Sequence, residues 1–311
     1  MGFIATDFIW MNGKLVPWAN ATVHVLAHGL HYGTGVFEGM RCYPTPDGPA
    51  VFRLDAHLER MFKSAELYEL QIPYSTDVLT DATHEVIRAN RLDAAYIRPI
   101  AFFEAATLSV WTRECPVSVA IAAFPTGSYH ANAAQGVRVT ISSIRKFDSA
   151  AIPAWGKACG QYINSVRAVQ EAQRRGFDEA LLLNSHGQLA EGSGENVFVV
   201  KDGAVVTNDI DASILMGVTR ASILEIARDL GIPTRVSALS VEDVLSADEL
   251  FFSGTAVEVT SIREVDGRSI GDGSIGPITR RIQETFNQAV RGQLRPYRRW
   301  LSFVRQPVTQ G

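Results

Sequence analysis

Residues Leu189–Gly203 read LAEGSGENVFVVKDG. Two carboxylates, Glu191 and Glu195, bracket a run holding two glycines. The flanking segments Gln188–Ala190 and Asn196–Val200 read as strands, and Asp202-Gly203 reads as the turn into a third strand, Ala204–Thr207. Glycines at such a bend permit unusual backbone angles or close approach of a ligand. A buried carboxylate there pairs with a protonated ring nitrogen and deepens an electron sink. A polar turn with exposed acids has the same spelling, and the stretch alone leaves both readings open.

Downstream, Gly217-Val218-Thr219-Arg220 opens a helix over Thr219–Leu230, with Gly231 as its stop. A helix N-terminus offers free N–H groups and a positive dipole end, which suit a phosphate; a threonine there also serves as an ordinary cap. Ser253-Gly254-Thr255-Ala256 follows a strand over Glu249–Phe252, and a last helix covers Thr279–Arg291. Upstream, Tyr162–Arg175 is a helix with Val166, Val169 and Ala172 on one face, between strands at Val137–Ile144 and Ala180–Asn184. Before that helix stands Trp155-Gly156-Lys157-Ala158-Cys159-Gly160. A lysine among such small neighbours fits an amine partly withdrawn from water, with a lowered pKa and nucleophilic character. A solvated loop lysine is the plain alternative.

The first third carries a hairpin, Phe8–Met11 and Lys14–Pro17 around Asn12-Gly13, a dipeptide suited to positive φ. A strand at Ala50–Phe52 precedes a helix over Asp55–Leu70 with Asp55 as cap and Leu58, Met61, Phe62 and Ala65 inward. Arg60 lies off that stripe, as a surface arginine would. A second helix spans Thr76–Asn90; Tyr96–Phe103 and Val117–Phe124 are strands. Within Tyr96-Ile97-Arg98-Pro99 a buried arginine needs an anionic partner such as a substrate carboxylate. The small, polar run 125–136 is the expected boundary: a small N-terminal α+β domain over 1–128, a linker over 129–136, and a larger domain over 137–311.

With 311 residues, 46% of them hydrophobic, the chain is long enough for two packed domains. A net charge of -4 without a basic stripe argues against nucleic acid as partner. Three cysteines at wide spacing suggest neither a disulfide framework nor a metal site, so no metal is expected and a reducing compartment fits. Met1–Trp10 lacks the apolar core of a signal peptide, and no apolar run reaches the roughly 18 residues that span a bilayer. A cytoplasmic protein is expected, with no membrane partner.

Taken in order, HYGTGVFEGMRCY, AYIRP, LAEGSGENVFVVKDG, GVTR and SGTAVEVTSI closely resemble the branched-chain aminotransferases. These are pyridoxal-phosphate (PLP) enzymes of class IV, also called fold type IV. The likeness runs from Phe8 to about Val304. It implies a two-domain α/β (α+β) fold like that of D-amino-acid aminotransferase, and transamination of leucine, isoleucine and valine with 2-oxoglutarate. It implies that Lys157 carries PLP as a Schiff base and moves the proton, that Glu191 meets the ring nitrogen, and that Tyr162 meets the phenolic oxygen. Arg60, Val218, Thr219 and Thr255 would hold the phosphate, with a further N–H from Leu215. Tyr32, Phe37, Gly39, Tyr129, Gly254, Thr255 and Ala256 resemble the substrate pocket; Tyr96, Arg98 and Arg41 resemble the carboxylate-receiving groups. Amino acids and 2-oxo acids are thus the expected small-molecule partners, and a homodimer or higher homo-oligomer the expected assembly.

Three positions depart from the family: Thr126 in place of a frequent tryptophan, 103–111 without the usual glycines, and Met216 in place of a frequent proline. The first two lie on the substrate side and point to an unusual donor range. D-amino-acid or (R)-amine transaminases share the fold, but Arg41 and the YIRP stretch favour the branched-chain type. An aminodeoxychorismate lyase would release pyruvate with no acceptor. A non-catalytic binding protein would not need Lys157, Glu191, Arg60, Tyr162 and Thr219 together.

Overall fold

The computed structural model describes residues 4–304 apart from 126, 128, 129 and 131; Tyr129 and Thr126 therefore lie outside the described residues. The chain forms two compact units. One comprises Met1–Gly127, Gly156–Gly160 and Gln288–Gly311; the other comprises Ser128–Trp155 and Gln161–Asn287.

The first unit opens with the hairpin β1 (Phe8–Met11) and β2 (Lys14–Pro17), followed by the short helix α1 (His28–Tyr32). Next come β3 (Gly35–Phe37), β4 (Met40–Tyr43), β5 (Ala50–Phe52), α2 (Leu54–Ala65), α3 (Thr76–Ala89), β6 (Ala95–Phe103) and β7 (Val117–Phe124). The sheet order is Leu301–Phe303, β5, β4, β6, β7, β1, β2, and β3 also pairs with β6. β1 and β2 pair with Phe8 opposite Pro17 and Met11 opposite Lys14, so Asn12 and Gly13 form the two-residue turn, at φ 49° and 90°. Alternation along β7 buries Val119, Ile121 and Ala123 against Leu58, Met61, Leu79 and Val86 of the helices.

Helix α2 differs from its sequence reading at both ends. Its cap is Arg53 in a left-handed conformation (φ 52°), and Asp55 lies inside the first turn, where its charge favours the dipole. The α-helix stops at Ala65 and tightens into a 3-10 turn over Glu66–Tyr68. Buried Leu58, Met61 and Ala65 follow the expected stripe. Arg60 does not behave as a surface residue: its side chain is 13% exposed and paired.

The second unit has β8 (Val137–Ile141), α4 (Tyr162–Arg174), β9 (Glu179–Leu183), β10 (Leu189–Gly192), β11 (Asn196–Lys201) and β12 (Ala204–Thr207). These are followed by α5 (Val218–Asp229), β13 (Thr234–Val236), α6 (Val241–Leu245), β14 (Glu249–Gly254), β15 (Glu258–Val265), β16 (Arg268–Ser269) and α7 (Pro277–Val290). The order is β10, β9, β8, β15, β14, β11, β12, β13, with β16 on β15. β8 runs parallel to both β9 and β15. Continuous apolar runs such as Leu181–Leu183 and Val197–Val200 are buried throughout, as strands covered on both faces require. Helix α4 buries Ala168 and Ala172, one turn apart, whereas Val166 is 53% exposed. The face that packs is the narrow one, because alanines let a helix lie close to the sheet.

Candidate active site

In the first unit, Gly156–Gly160 lies beside β3. The Phe37 N–H donates to the Lys157 carbonyl, Val36 bridges Ala158, and the Ser64 hydroxyl accepts from the Lys157 N–H. The small residues around Lys157 serve this close packing. A Cβ on Gly33 would stand 2.7 Å from the Gly160 Cα, and one on Gly156 would strike Leu67. As a residue Lys157 is half-buried, but its amine is enclosed, with Nζ 5.1 Å from the centre of the Phe37 ring. Burial, and then the Arg60 guanidinium, push its pKa down to about 8, partly opposed by Glu38.

Arg60 is fixed by a residue that the sequence reading left without a role. Glu38, fully buried, accepts from Arg60 Nε at 2.6 Å and from its terminal nitrogen at 2.8 Å. His57 Nδ1 meets the same carboxylate at 2.7 Å. Burial alone would raise the pKa of Glu38; Arg60 and then His57 reverse this and hold it well below the usual carboxylate range. Burial lowers His57, with Glu38 opposing. Two-point pairing of this kind sets the plane of a guanidinium as well as its charge. The signal lay within HYGTGVFEGMRCY, where Glu38 stands between apolar neighbours.

Beside them, Tyr96 and Arg41 face each other across β4 and β6. Arg98 lies on the same side of β6 as Tyr96 and donates to its hydroxyl at 3.3 Å. Its guanidinium stands 4.8 Å from the centre of the Phe37 ring. Arg98 is exposed, not buried, so its charge is balanced without an internal anion. Gly39 has no room for a side chain, because a Cβ would meet the Tyr96 hydroxyl. Tyr32 is 44% exposed and donates to the Leu108 carbonyl at 2.7 Å.

In the second unit, Glu191 closes β10 with 6% exposure. Lys146 Nζ donates to its Oε1 at 2.7 Å; Asn196 Nδ2 and the Leu215 N–H each donate to Oε2 at 3.1 Å. The Leu215 N–H, expected on a phosphate, is thus committed to Glu191. Tyr162 opens α4 within electrostatic reach of Lys146. Helix α5 begins at buried Val218 and Thr219, and its cap Gly217 supplies no side-chain acceptor. The arginine of GVTR points to the protein interior: Arg220 is 3% exposed and donates to the Asn208 carbonyl at 2.5 Å. Gly254, Thr255 and Ala256 are half-buried at the end of β14. Next to them, buried Ser253 Oγ finds no hydrogen-bond partner among the described residues.

The donor set fits pyridoxal phosphate. A helix start with uncapped N–H groups suits a phosphate. Glu191 retains capacity for a further donor, since a carboxylate accepts at about four positions and three are filled. Burial and the Arg60 cation hold the Lys157 amine well below the ordinary lysine range, at about 8.

Residues 35–265 match the amino-transferase class IV family. The chain belongs to the class IV aminotransferases. This aminotransferase is 44% identical over 299 residues to the branched-chain-amino-acid aminotransferase of Pseudomonas aeruginosa, covering 96% of this chain and 97% of that one. It is 43% identical over 303 residues to that of Escherichia coli K12, covering 96% and 98%. Among solved structures, an Escherichia coli branched-chain amino acid aminotransferase superposes with a TM-score of 0.95 at 42% identity, covering 97% of this chain and all of that one. A branched-chain amino acid aminotransferase from Thermobaculum terrenum in its PLP-bound form gives 0.91 at 31%, with coverage of 97% and 99%. The fold of this class IV aminotransferase is therefore the two-sheet α+β fold of those enzymes. Among the described residues no helix is long and apolar enough to cross a membrane.

Proposed function

We propose that the chain is a PLP-dependent branched-chain-amino-acid aminotransferase, passing the amino group of leucine, isoleucine or valine to 2-oxoglutarate. The observation that carries this is the enclosed Lys157 amine, titrating near 8 beside the Glu38-held Arg60. The branched-chain-amino-acid aminotransferases of Pseudomonas aeruginosa and Escherichia coli, which match nearly the whole chain, support the substrate class.

When bound, the cofactor delocalises the electron pair left on the substrate Cα. Lys157 Nζ, unprotonated in useful amounts near pH 8, takes the proton from that Cα and returns it on the other side of the exchange. Glu191 would hold the proton on the ring nitrogen. Arg60, the Val218 and Thr219 N–H groups and the hydroxyls of Thr219 and Thr255 would hold the phosphate, and Tyr162 would meet the phenolic oxygen. Leu215 contributes by orienting Glu191. On the substrate side, Phe37, Gly39, Tyr32, Tyr129 and the Gly254-Thr255-Ala256 turn would receive the aliphatic side chain. Arg98, Arg41 and Tyr96 receive carboxylates. The Arg98 guanidinium over Phe37 lets one region serve both an apolar donor and the second carboxylate of glutamate.

A panel of L-amino donors with 2-oxoglutarate tests the reading. Leucine, isoleucine and valine are expected to give the highest kcat/KM, with measurable aromatic activity in line with the departure of 103–111. Absence of branched-chain turnover, or a preference for D-enantiomers, would overturn it. We further propose a cytoplasmic homo-oligomer: the cysteines are free, and an apolar patch around α1 is exposed.

A further inference from the structure

Glu191 is held at three points. Lys146 occupies Oε1 and Asn196 with the Leu215 N–H occupies Oε2, so the carboxylate cannot rotate without breaking all three contacts. Lys146 is itself half-buried, with its side chain 16% exposed. Burial acts to lower its pKa, but the pairing with Glu191 more than offsets this and raises it, so the ammonium stays charged. A largely enclosed pair is costly when half-made, because the remaining charge has little water to turn to. Asn196 is 5% exposed and fixed in turn. Its Nδ2 also donates to the Leu215 carbonyl at 2.8 Å, and its Oδ1 lies where a Cβ on Gly217 would stand. The start of α5 thus lacks a side chain in part because Asn196 occupies the space. The side-chain nitrogens of both Lys146 and Asn196 are spent on one carboxylate and the loop beside it.

We propose that Lys146 and Asn196 are positioning residues for Glu191. Lys146 balances its charge and Asn196 fixes its rotamer, leaving one acceptor position preset for the ring nitrogen of the cofactor. The inference rests on the reading of Glu191 as the ring-nitrogen partner, and the experiment separates the two.

Cofactor-free protein carrying Lys146→Met, Asn196→Leu, Lys146→Arg or Glu191→Gln is titrated with pyridoxal 5'-phosphate labelled with 15N in the ring. The dissociation constant and the ring-nitrogen chemical shift, which reports its protonation, are read for each. Lys146→Met and Asn196→Leu are each expected to weaken binding about tenfold or more, the scale of one lost charge-assisted hydrogen bond. Both are expected to move the 15N signal toward its position in Glu191→Gln, and Lys146→Arg to restore it. A purely structural role would lower thermal stability without moving that signal. If Glu191→Gln moves the signal while Lys146→Met and Asn196→Leu leave it at the wild-type value, the positioning role is wrong. If Glu191→Gln itself leaves the signal unchanged, the underlying assignment of Glu191 falls instead. Should Lys146→Met fail to fold, Asn196→Leu decides, since it removes no charge.

Discussion

At Lys157 two effects act in the same direction. Withdrawal from water and the nearby Arg60 cation both disfavour the ammonium, and together they bring its pKa to about 8 against an ordinary value near 10.5. The sign of the consequence is fixed. As pH rises through 8, the neutral amine gains population, so capture of an aldehyde by the cofactor-free protein should accelerate between pH 7 and 9 and level off above. Pyridoxal, which has no phosphate, is a suitable probe because Arg60 cannot then act by binding the probe's charge. Arg60→Met removes a cation that lowers the amine and leaves Glu38, which raises it. The midpoint should therefore shift to higher pH, by about one unit or more, the scale of one close charge. Stopped-flow absorbance against pH reads this directly; an unmoved midpoint would mean that Arg60 does not set the amine's proton affinity. Lys157 was visible in the sequence through its small neighbours. The pairing of Glu38 with His57 and Arg60 was not, because neither periodicity nor composition reveals that residues 19 and 22 apart meet on one carboxylate.

At the scale of the elements, helix α7 shows how a buried acid can organise a helix end. Glu249 begins β14 with 8% exposure, and its carboxylate accepts from the Ile278 N–H at 2.9 Å and the Thr279 N–H at 2.6 Å. The helix is thus capped from a strand some 29 residues away in sequence, and the negative charge complements the positive end of its dipole. Glu249→Ala should cost about 2 kcal/mol, the upper range for a lost cap, because the buried Thr279 N–H and the half-buried Ile278 N–H then lose their acceptor. Glu249→Gln, which keeps an acceptor, should lose about half of that. Denaturant unfolding of the two variants separates them, and equal stabilities would remove the cap from the account. Elements of this kind mark the limit of sequence reading. The hairpin at Asn12-Gly13, the runs at Val117–Phe124 and Ala204–Thr207, and the existence of the long helices were legible, since turn chemistry and periodicity are local. The early end of α2 at Ala65 and the choice of Ala168 and Ala172 over Val166 on α4 were not, because both follow from what packs against the helix.

For the whole molecule, the surface near α1 is where the proposed self-association is tested. Val25, Leu30, Leu108, Val110 and Trp111 are 67%, 65%, 53%, 82% and 66% exposed. They form one region, because His28 Nε2 meets the Ser109 carbonyl at 2.9 Å and Tyr32 donates to that of Leu108. Isolated apolar residues on a surface need no explanation, whereas a cluster of large ones is the kind of surface that a second copy would cover. The net charge of -4 is too small to repel a second copy. Self-association through this face should therefore be tight, and charge placed in it should reverse the effect, since a carboxylate buried at an interface loses its hydration without gaining a partner. Leu30→Glu with Val110→Glu is the informative pair: both residues are exposed in the single chain, so the fold should survive while the assembly does not. Light scattering after size exclusion at micromolar concentration should give at least a dimer for the wild type and a monomer for the double variant. A wild type already monomeric, or a double variant that keeps its size with unchanged melting temperature, would show that this apolar face is not what joins the subunits.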